Sequence, residues 1–353
     1  MEKNLISETG KIDDMSNKVD VVIVGAGPAG SICAYLLKRA GVDCLLVDLA
    51  NFPREKVCGG GLTPKAYRLL DELIPGIKYE YNPITRIKPG LGFDHKPIGE
   101  FDISREVRIV DRKDFDYTLL QHYKNEGGEF VQDVFSSFEI EADGTVMVKF
   151  KSGRLLQCKY LVGADGANSR VRKQIKGEYD GNVLCIEQRM DSKSDAIEGV
   201  LANEYKHGYY YLFPSLKGDA VGLVAEDMTV QRFRDMLNRL GIKETKIKGA
   251  DIPLRHVDSG MNNVILIGDA GGFVNKLTYE GLYYAMATGR NAAKAIITGK
   301  PFREVNSNIR LRKCLEAILK KVIYNSFGMS LARCLSVCMP VIIRKLFVGV
   351  MGR

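Results

Sequence analysis

The sequence predicts an α/β fold: a Rossmann-like domain with a β-sheet substrate domain set into it and a helical C-terminal segment. Three observations predict it. A β-branched run at 19–24 leads directly into Gly25-Ala26-Gly27-Pro28-Ala29-Gly30, a second apolar strand closes on Asp48, and two further glycine-edged turns follow apolar strands near 165 and 269.

The run VDVVIV has the composition of a buried parallel strand. SICAYLLKRAG after the glycines reads as a helix ending at Gly41, and DCLLVD as the next strand, so residues 19–48 make a complete strand–helix–strand unit. In this unit Gly25 permits the tight turn, Gly27 lets the backbone approach a pyrophosphate, and Gly30 lets helix and strand pack closely. Pro28 and Ala29 belong to the same cofactor-binding turn, and the N-terminus of the helix that follows carries partial positive charge toward the phosphates. Asp48 lies 18 residues after Gly30, where a carboxylate can accept hydrogen bonds from a ribose. The motif reads as a dinucleotide site without deciding between NAD and FAD.

YLVGADGANSRVRK places Asp165 on a glycine-flanked turn after a strand, and VILIGDAGG does the same for Gly268-Asp269. In this order behind the first unit, the pair resembles the DG and GD motifs of the flavin monooxygenase-like, p-hydroxybenzoate hydroxylase-type fold. FPREKVCGGGL at 52–62, DRKDFD at 111–116 and TYEGLYYAMATGR at 278–290 narrow the resemblance to the geranylgeranyl reductase family over about residues 19–300. That resemblance implies FAD as cofactor, with Asp269 on the ribityl chain and Asp165 near the pyrophosphate and the approach of NADPH. It also implies Cys58, Gly59 and Gly61 beside the flavin, Arg112 as an FAD-contacting arginine, and Val134, in the strand VQDVF, meeting adenine through its backbone. The backbone of Gly281 and Leu282 would face the ring, where a helix dipole stabilises negative charge on reduced flavin. A discontinuous FAD domain (19–79, 105–179, 262–300) and a substrate domain (80–104, 180–261) follow from the same resemblance.

The sequence departs from the family at Lys276, where a proline is usual, and at Tyr279, where a glycine precedes Glu-Gly. Lys276 would tune the flavin or point to solvent. Tyr211 occupies a tryptophan place in GYYYLFPSLKGDAVGLV, and the chain contains no tryptophan at all. The tryptophan-bearing signature of the halogenase branch is therefore absent.

The family reduces isoprenoid carbon–carbon double bonds by hydride transfer from reduced flavin. Strand alternation puts Tyr209, Tyr211 and Phe213 on one face, either lining an apolar substrate tunnel or packing on the core. Cys58 is a candidate proton donor, or a small packing residue. Two other functions stay open: an aromatic or polyketide monooxygenase, which would take up oxygen, and a non-catalytic flavoprotein. One dinucleotide fingerprint leaves the reductant, NADPH, NADH or a ferredoxin-like donor, to reach the flavin transiently.

Composition excludes other classes. Eight scattered cysteines and four histidines show no metal-ligand spacing, and the polar residues 1–18 lack a secretory apolar region. These features predict a cytoplasmic protein with a disordered lead. The net charge of +8 resides entirely in 301–353, which has ten basic and two acidic residues. A nucleic-acid binder would spread its charge over the main body. The apolar, basic runs at 315–327 and 331–351 predict helices that either pack on the body or lie peripherally on a membrane holding a lipid substrate, because charges interrupt them below the length of a span, roughly 18–20 residues.

Overall fold

The computed structural model describes residues 18–91, 99–202 and 204–324. The expected N-terminal lead and the apolar run at 331–351 lie outside these residues.

The chain opens with β1 (Lys18–Val24), α1 (Pro28–Arg39), β2 (Cys44–Asp48), β3 (Gly61–Leu62), α2 (Pro64–Leu73), β4 (Asn82–Leu91) and β5 (Phe101–Ile109). It continues through α3 (Arg112–Asn125), β6 (Glu129–Gln132), β7 (Phe135–Ile140), β8 (Val146–Phe150), β9 (Leu155–Gly163) and α4 (Arg170–Lys176). Next come β10 (Asn182–Met190), β11 (Ile197–Leu201), β12 (Tyr209–Ser215), β13 (Gly218–Ala225), α5 (Val230–Leu240), β14 (Lys248–Pro253) and β15 (Val264–Leu266). A 3-10 turn (Gly268–Gly271) leads to α6 (Leu282–Thr298), α7 (Phe302–Val305) and α8 (Ser307–Ile323).

Two sheets organise these elements. The first runs β6-β2-β1-β9-β8-β7, with β15 also on β9. Its β6, β2, β1, β9 and β15 are mutually parallel, as the opening strand–helix–strand unit requires. The five residues of β2 are all buried, which a parallel strand covered on both faces demands. Helices α1, α3 and α6 pack on one face through Ile32, Leu37, Leu119, Tyr123, Tyr284 and Met286.

The second sheet runs β14-β10-β13-β12-β11-β4-β5-β3. It takes in residues 61–62 and extends to Ile109, beyond the segments 80–104 and 180–261 expected for it, because β5 stays paired with β4 and β3 to its end. Alternation along β12 separates two environments. Tyr210 and Leu212 pack with Phe233, Met236 and Leu237 of α5, each buried side chain contributing about 1.5–3 kcal/mol. The spacing of those three residues puts them on one face of α5. Thr229 caps that helix by accepting from the Arg232 N–H, and Gly241 ends it in the left-handed conformation. Tyr209, Tyr211 and Phe213 face the other way, toward the first sheet's turns.

Candidate functional site

The glycine turn at the end of β1 is set by steric exclusion. A Cβ on Gly25 (φ +107°) would lie 2.3 Å from the Ala164 carbonyl oxygen. One on Gly30 would lie 1.8 Å from the Gly25 oxygen. Neither position admits a side chain. Gly27 differs, since its Cβ would meet only Arg54 Nη2, at 3.5 Å. It is the N-cap of α1, no side chain caps that helix, and Pro28 at its first position has no N–H. The remaining first-turn amides of Ala29 and Gly30 thus point outward at the positive end of the dipole. At the end of β2, Asp48 braces this turn, accepting from the Ala26 N–H (2.7 Å) and the Ala50 N–H (2.8 Å).

Cationic groups gather over Gly27. Arg112 forms a bidentate pair with Asp116 (2.8 Å each), and Arg54 approaches the same carboxylate at 3.2 Å. Burial works against the Arg112 charge, but Asp116 and then Cys58 hold its guanidinium above the ordinary value. Two arginines on one carboxylate leave a net positive charge beside an open helix N-terminus, the arrangement a pyrophosphate needs. The sequence reading found Arg112 but missed Arg54 and Asp116. The four-residue spacing of Arg112 and Asp116 on a helix start was the available signal.

Val134 is placed differently from expectation. It lies in the two-residue link between β6 and β7, not in a strand. Its N–H donates to Asp133 Oδ1 (2.7 Å) and its carbonyl accepts from the Lys151 N–H (2.9 Å), so neither backbone group is left without a protein partner. Asp165 is likewise engaged. Its carboxylate accepts from the Ser169 hydroxyl and from the Arg170 (2.7 Å) and Val171 (3.2 Å) N–H groups at the start of α4. Burial raises its carboxyl above the ordinary value, against these hydrogen bonds. Here the side chain fastens a helix beside Gly25.

Asp269 stands apart. Among the described residues no hydrogen bond reaches its carboxylate, and the residue is part-buried. Burial raises its pKa, opposed by Lys56, Arg112 and Arg172. Its Oδ1 lies 3.5 Å from where a Cβ on Gly281 would be. Gly281 is the N-cap of α6, again without a side-chain cap, and Leu282 is the first helical residue. The GD turn is pressed onto α1, since a Cβ on Gly268 (φ +54°) would fall 2.9 Å from that of Ala29. The Gly268 N–H donates to Thr288 Oγ1 at 2.9 Å. Two uncapped helix N-termini and one unpartnered carboxylate therefore converge, and this set fits FAD. Asp269 would accept from ribityl hydroxyls, α1 would face the pyrophosphate, and the Gly281–Leu282 backbone would lie at the ring.

The Cys58–Gly61 loop joins the two sheets. Cβ atoms on Gly59 and Gly61 would lie 2.8 and 3.0 Å from the Phe213 ring. These glycines therefore make room for an aromatic side chain of β12, a reason the sequence alone did not supply. The half-buried Cys58 accepts from the Gly60 N–H at 3.4 Å through Sγ, and its carbonyl accepts from Arg189 at 3.2 Å.

The expected aromatic face exists, and its hydroxyls turn into the protein. Tyr209 donates to the Thr278 carbonyl (2.7 Å) and Tyr211 to Glu187 Oε2 (2.9 Å). Glu187, which sequence reading missed, is 4% exposed. Burial raises its carboxyl, against Arg189, Tyr211 and the Cys58 N–H. It meets Tyr211 only because β10 pairs Glu187 with Gly222, over which the Tyr211 ring lies; a Cβ there would sit 2.1 Å from that ring. Val274 and Tyr279 pack on the same face, so in this structure it is a packed surface as well as a candidate wall.

The two departures from the family resolve as follows. Tyr279 has a left-handed backbone (φ 56°), which explains why glycine suits the position, and its ring packs on Tyr209 at 5.7 Å between centroids. Its hydroxyl donates to the His207 carbonyl. Lys276 turns toward α8, where its charge opposes that of Lys313, and its N–H donates to Glu316 Oε2 at 3.3 Å. The adjacent Glu280 is held by Thr63 Oγ1 and Lys65 Nζ, both at 2.6 Å.

A family described as FAD binding domain matches residues 18–225. The geranylgeranyl diphosphate reductase of Rhodobacter capsulatus is 32% identical over 312 residues, 80% of this chain and 77% of that protein. A menaquinone reductase of Mycolicibacterium smegmatis is 30% identical over 327 residues, 81% and 78% of the two chains. The crystal structure of a geranylgeranyl bacteriochlorophyll reductase-like protein from Thermoplasma acidophilum shares the fold, with a TM-score of 0.75 over 94% of this chain and 98% of that one at 18% identity. The chain is an FAD-binding protein of the flavin monooxygenase-like class. Within that class it belongs to the geranylgeranyl reductase family of FAD-dependent oxidoreductases. Among the described residues no helix is long and apolar enough to cross a membrane.

Proposed function

We propose that the chain reduces carbon–carbon double bonds in the isoprenoid chain of a lipid. The observation that carries this reading is the aromatic face of β12 set against the Cys58–Gly61 loop, with the uncapped start of α6 nearby. Relatives named for geranylgeranyl diphosphate and menaquinone reduction, both with isoprenoid side chains, support the same substrate class. When bound, reduced FAD supplies the hydride that adds to one alkene carbon. Cys58 holds a proton at Sγ for the other carbon, so that hydride and proton together saturate the bond. Arg189 positions Cys58 through its carbonyl. Tyr209, Tyr211 and Phe213 exclude water from the reacting carbons and offer an apolar wall to the chain. The electrons come from NADPH, NADH or a ferredoxin-like donor acting from outside, since the chain carries one dinucleotide fingerprint.

The test is anaerobic turnover of FAD-loaded protein with a chemically reduced donor and a geranylgeranyl lipid, read by mass spectrometry. Products gaining hydrogen pairs are expected. Oxygen uptake with a hydroxylated ring product would instead establish a monooxygenase. Cys58→Ala should leave FAD content unchanged and lower turnover about 10²-fold or more, the range general acid catalysis spans. Full turnover by that variant would remove Cys58 from the mechanism.

A further inference from the structure

Helix α8 is amphipathic in the reverse of the usual sense. Leu311, Leu315, Ile318, Leu319 and Val322 are all between 50% and 62% exposed. At about 3.6 residues per turn these five share one outward face. The inward face carries charge: Lys313 and Glu316 are 4% and 7% exposed, and Ile309 is the buried apolar residue between the helix and the body. A surface helix in water normally shows the opposite.

The inward charges are fully used. Glu316 accepts from Asn275 Nδ2 (2.9 Å), the Lys276 N–H (3.3 Å), Lys313 Nζ (3.2 Å) and the Tyr284 hydroxyl. Lys320 pairs with Glu226 of β13's end at 2.7 Å. So α8 is clamped to the 275–276 loop on one side and to the second sheet on the other. Its orientation is fixed, and the apolar stripe cannot rotate inward.

We propose that this stripe is a docking surface for an anionic lipid bilayer. The charge of the helix selects that occupant. Its one carboxylate, Glu316, is buried, and its exposed charged residues are Arg312 and Lys321, both positive. Beyond 324 the chain adds Arg333, Arg344, Lys345 and Arg353 with no acidic residue. A second copy of the stripe, or the chain's own basic segment laid over it, would bring like charges together, whereas anionic headgroups complement the rim while their acyl chains take the leucines. Docking there would hold the clamped 275–281 loop close to the bilayer. The inference concerns binding alone and does not depend on the reaction proposed above.

The absence of tryptophan from the chain makes a clean reporter possible. Leu315→Trp puts the sole indole on the stripe. Emission should be that of a water-exposed indole in the free protein and shift to the blue with phosphatidylcholine vesicles containing phosphatidylglycerol. It should shift little with phosphatidylcholine alone and return as salt is raised. Adding Leu311→Asp and Ile318→Asp, at exposed positions, should weaken vesicle binding roughly tenfold or more while bound-FAD absorbance confirms the fold. Three results would each overturn the proposal: no shift with anionic vesicles, a blue emission in the vesicle-free monomer (cover by the chain itself), or a blue shift that follows protein concentration (cover by a second copy).

Discussion

In the turn from Gly25 to Gly30, both positions that exclude a side chain carry glycine, and the Ala164 and Gly25 carbonyls fill the space instead. In the segment from Gly268 to Gly281, packed directly on that turn, Gly268 and Gly272 are left-handed glycines, but a third left-handed position, 279, carries tyrosine. The first region is held by backbone against backbone. The second combines a close backbone approach, a Cβ on Gly272 falling 2.1 Å from the Arg255 carbonyl oxygen, with side chains: the Tyr279 ring on Tyr209, its hydroxyl on the His207 carbonyl, and Glu316 reaching in from α8. The cofactor end of the cleft is thus set by close backbone approach, partly from the distant Ala164, and the end toward the second sheet depends more on side chains. A family can keep the former constant and vary the latter.

Four substitutions test that difference. The largest effect should come from Gly30→Ala, which sets a Cβ against a carbonyl that cannot yield. A loss of about 3 kcal/mol or more, or failure to fold, is expected in thermal unfolding. A stable, FAD-replete variant would mean the turn is not sterically closed.

Tyr279→Gly comes next. It relieves left-handed strain of about 1–2 kcal/mol and removes a buried ring of about 3–5 kcal/mol. The net loss should be about 2 kcal/mol with FAD binding retained. If the melting temperature rose instead, strain would outweigh packing and the second region would be less tertiary in origin than it looks.

Gly27→Ala should leave the FAD-free fold within about 0.5 kcal/mol, because only a flexible arginine tip is near. FAD affinity should fall about tenfold, or 1.4 kcal/mol, by crowding of the pyrophosphate. Equal loss of stability and affinity would refute the distinction between Gly27 and its two neighbours.

The smallest effect concerns pH. Burial raises the Asp269 carboxyl above its ordinary 3.8, so the folded FAD-free protein binds that proton more tightly than the unfolded chain. The stability this contributes is full below the ordinary value and is lost as pH rises through the raised one. Asp269→Asn should flatten this slope in a pH series of unfolding curves of the FAD-free protein. An unchanged slope would place the ionisation elsewhere.

Much of this was legible in the sequence, and for local reasons. The β-branched run, the three glycines and Asp48 specify one supersecondary unit whose spacing leaves few alternatives. Alternation alone put Tyr209, Tyr211 and Phe213 on one face. What failed did so where pairing decides. The segment VQDVF reads as one strand, yet the chain breaks at Asp133–Val134 to pass from β6, paired with β2, to β7, paired with β8. The room that Gly59 and Gly61 leave for the Phe213 ring, some 150 residues away, is likewise a product of pairing that no local pattern announces.

The dinucleotide unit, the aromatic alternation and the concentration of positive charge at the C-terminal end are each properties of neighbouring residues, and so are written in the amino-acid order. It takes the folded chain to show that Glu187 lies behind Tyr211, that Arg54 and Arg112 share Asp116, and that α8 turns its leucines outward. Those follow from strand register and helix orientation, which a large sheet sets through contacts between residues far apart in the chain.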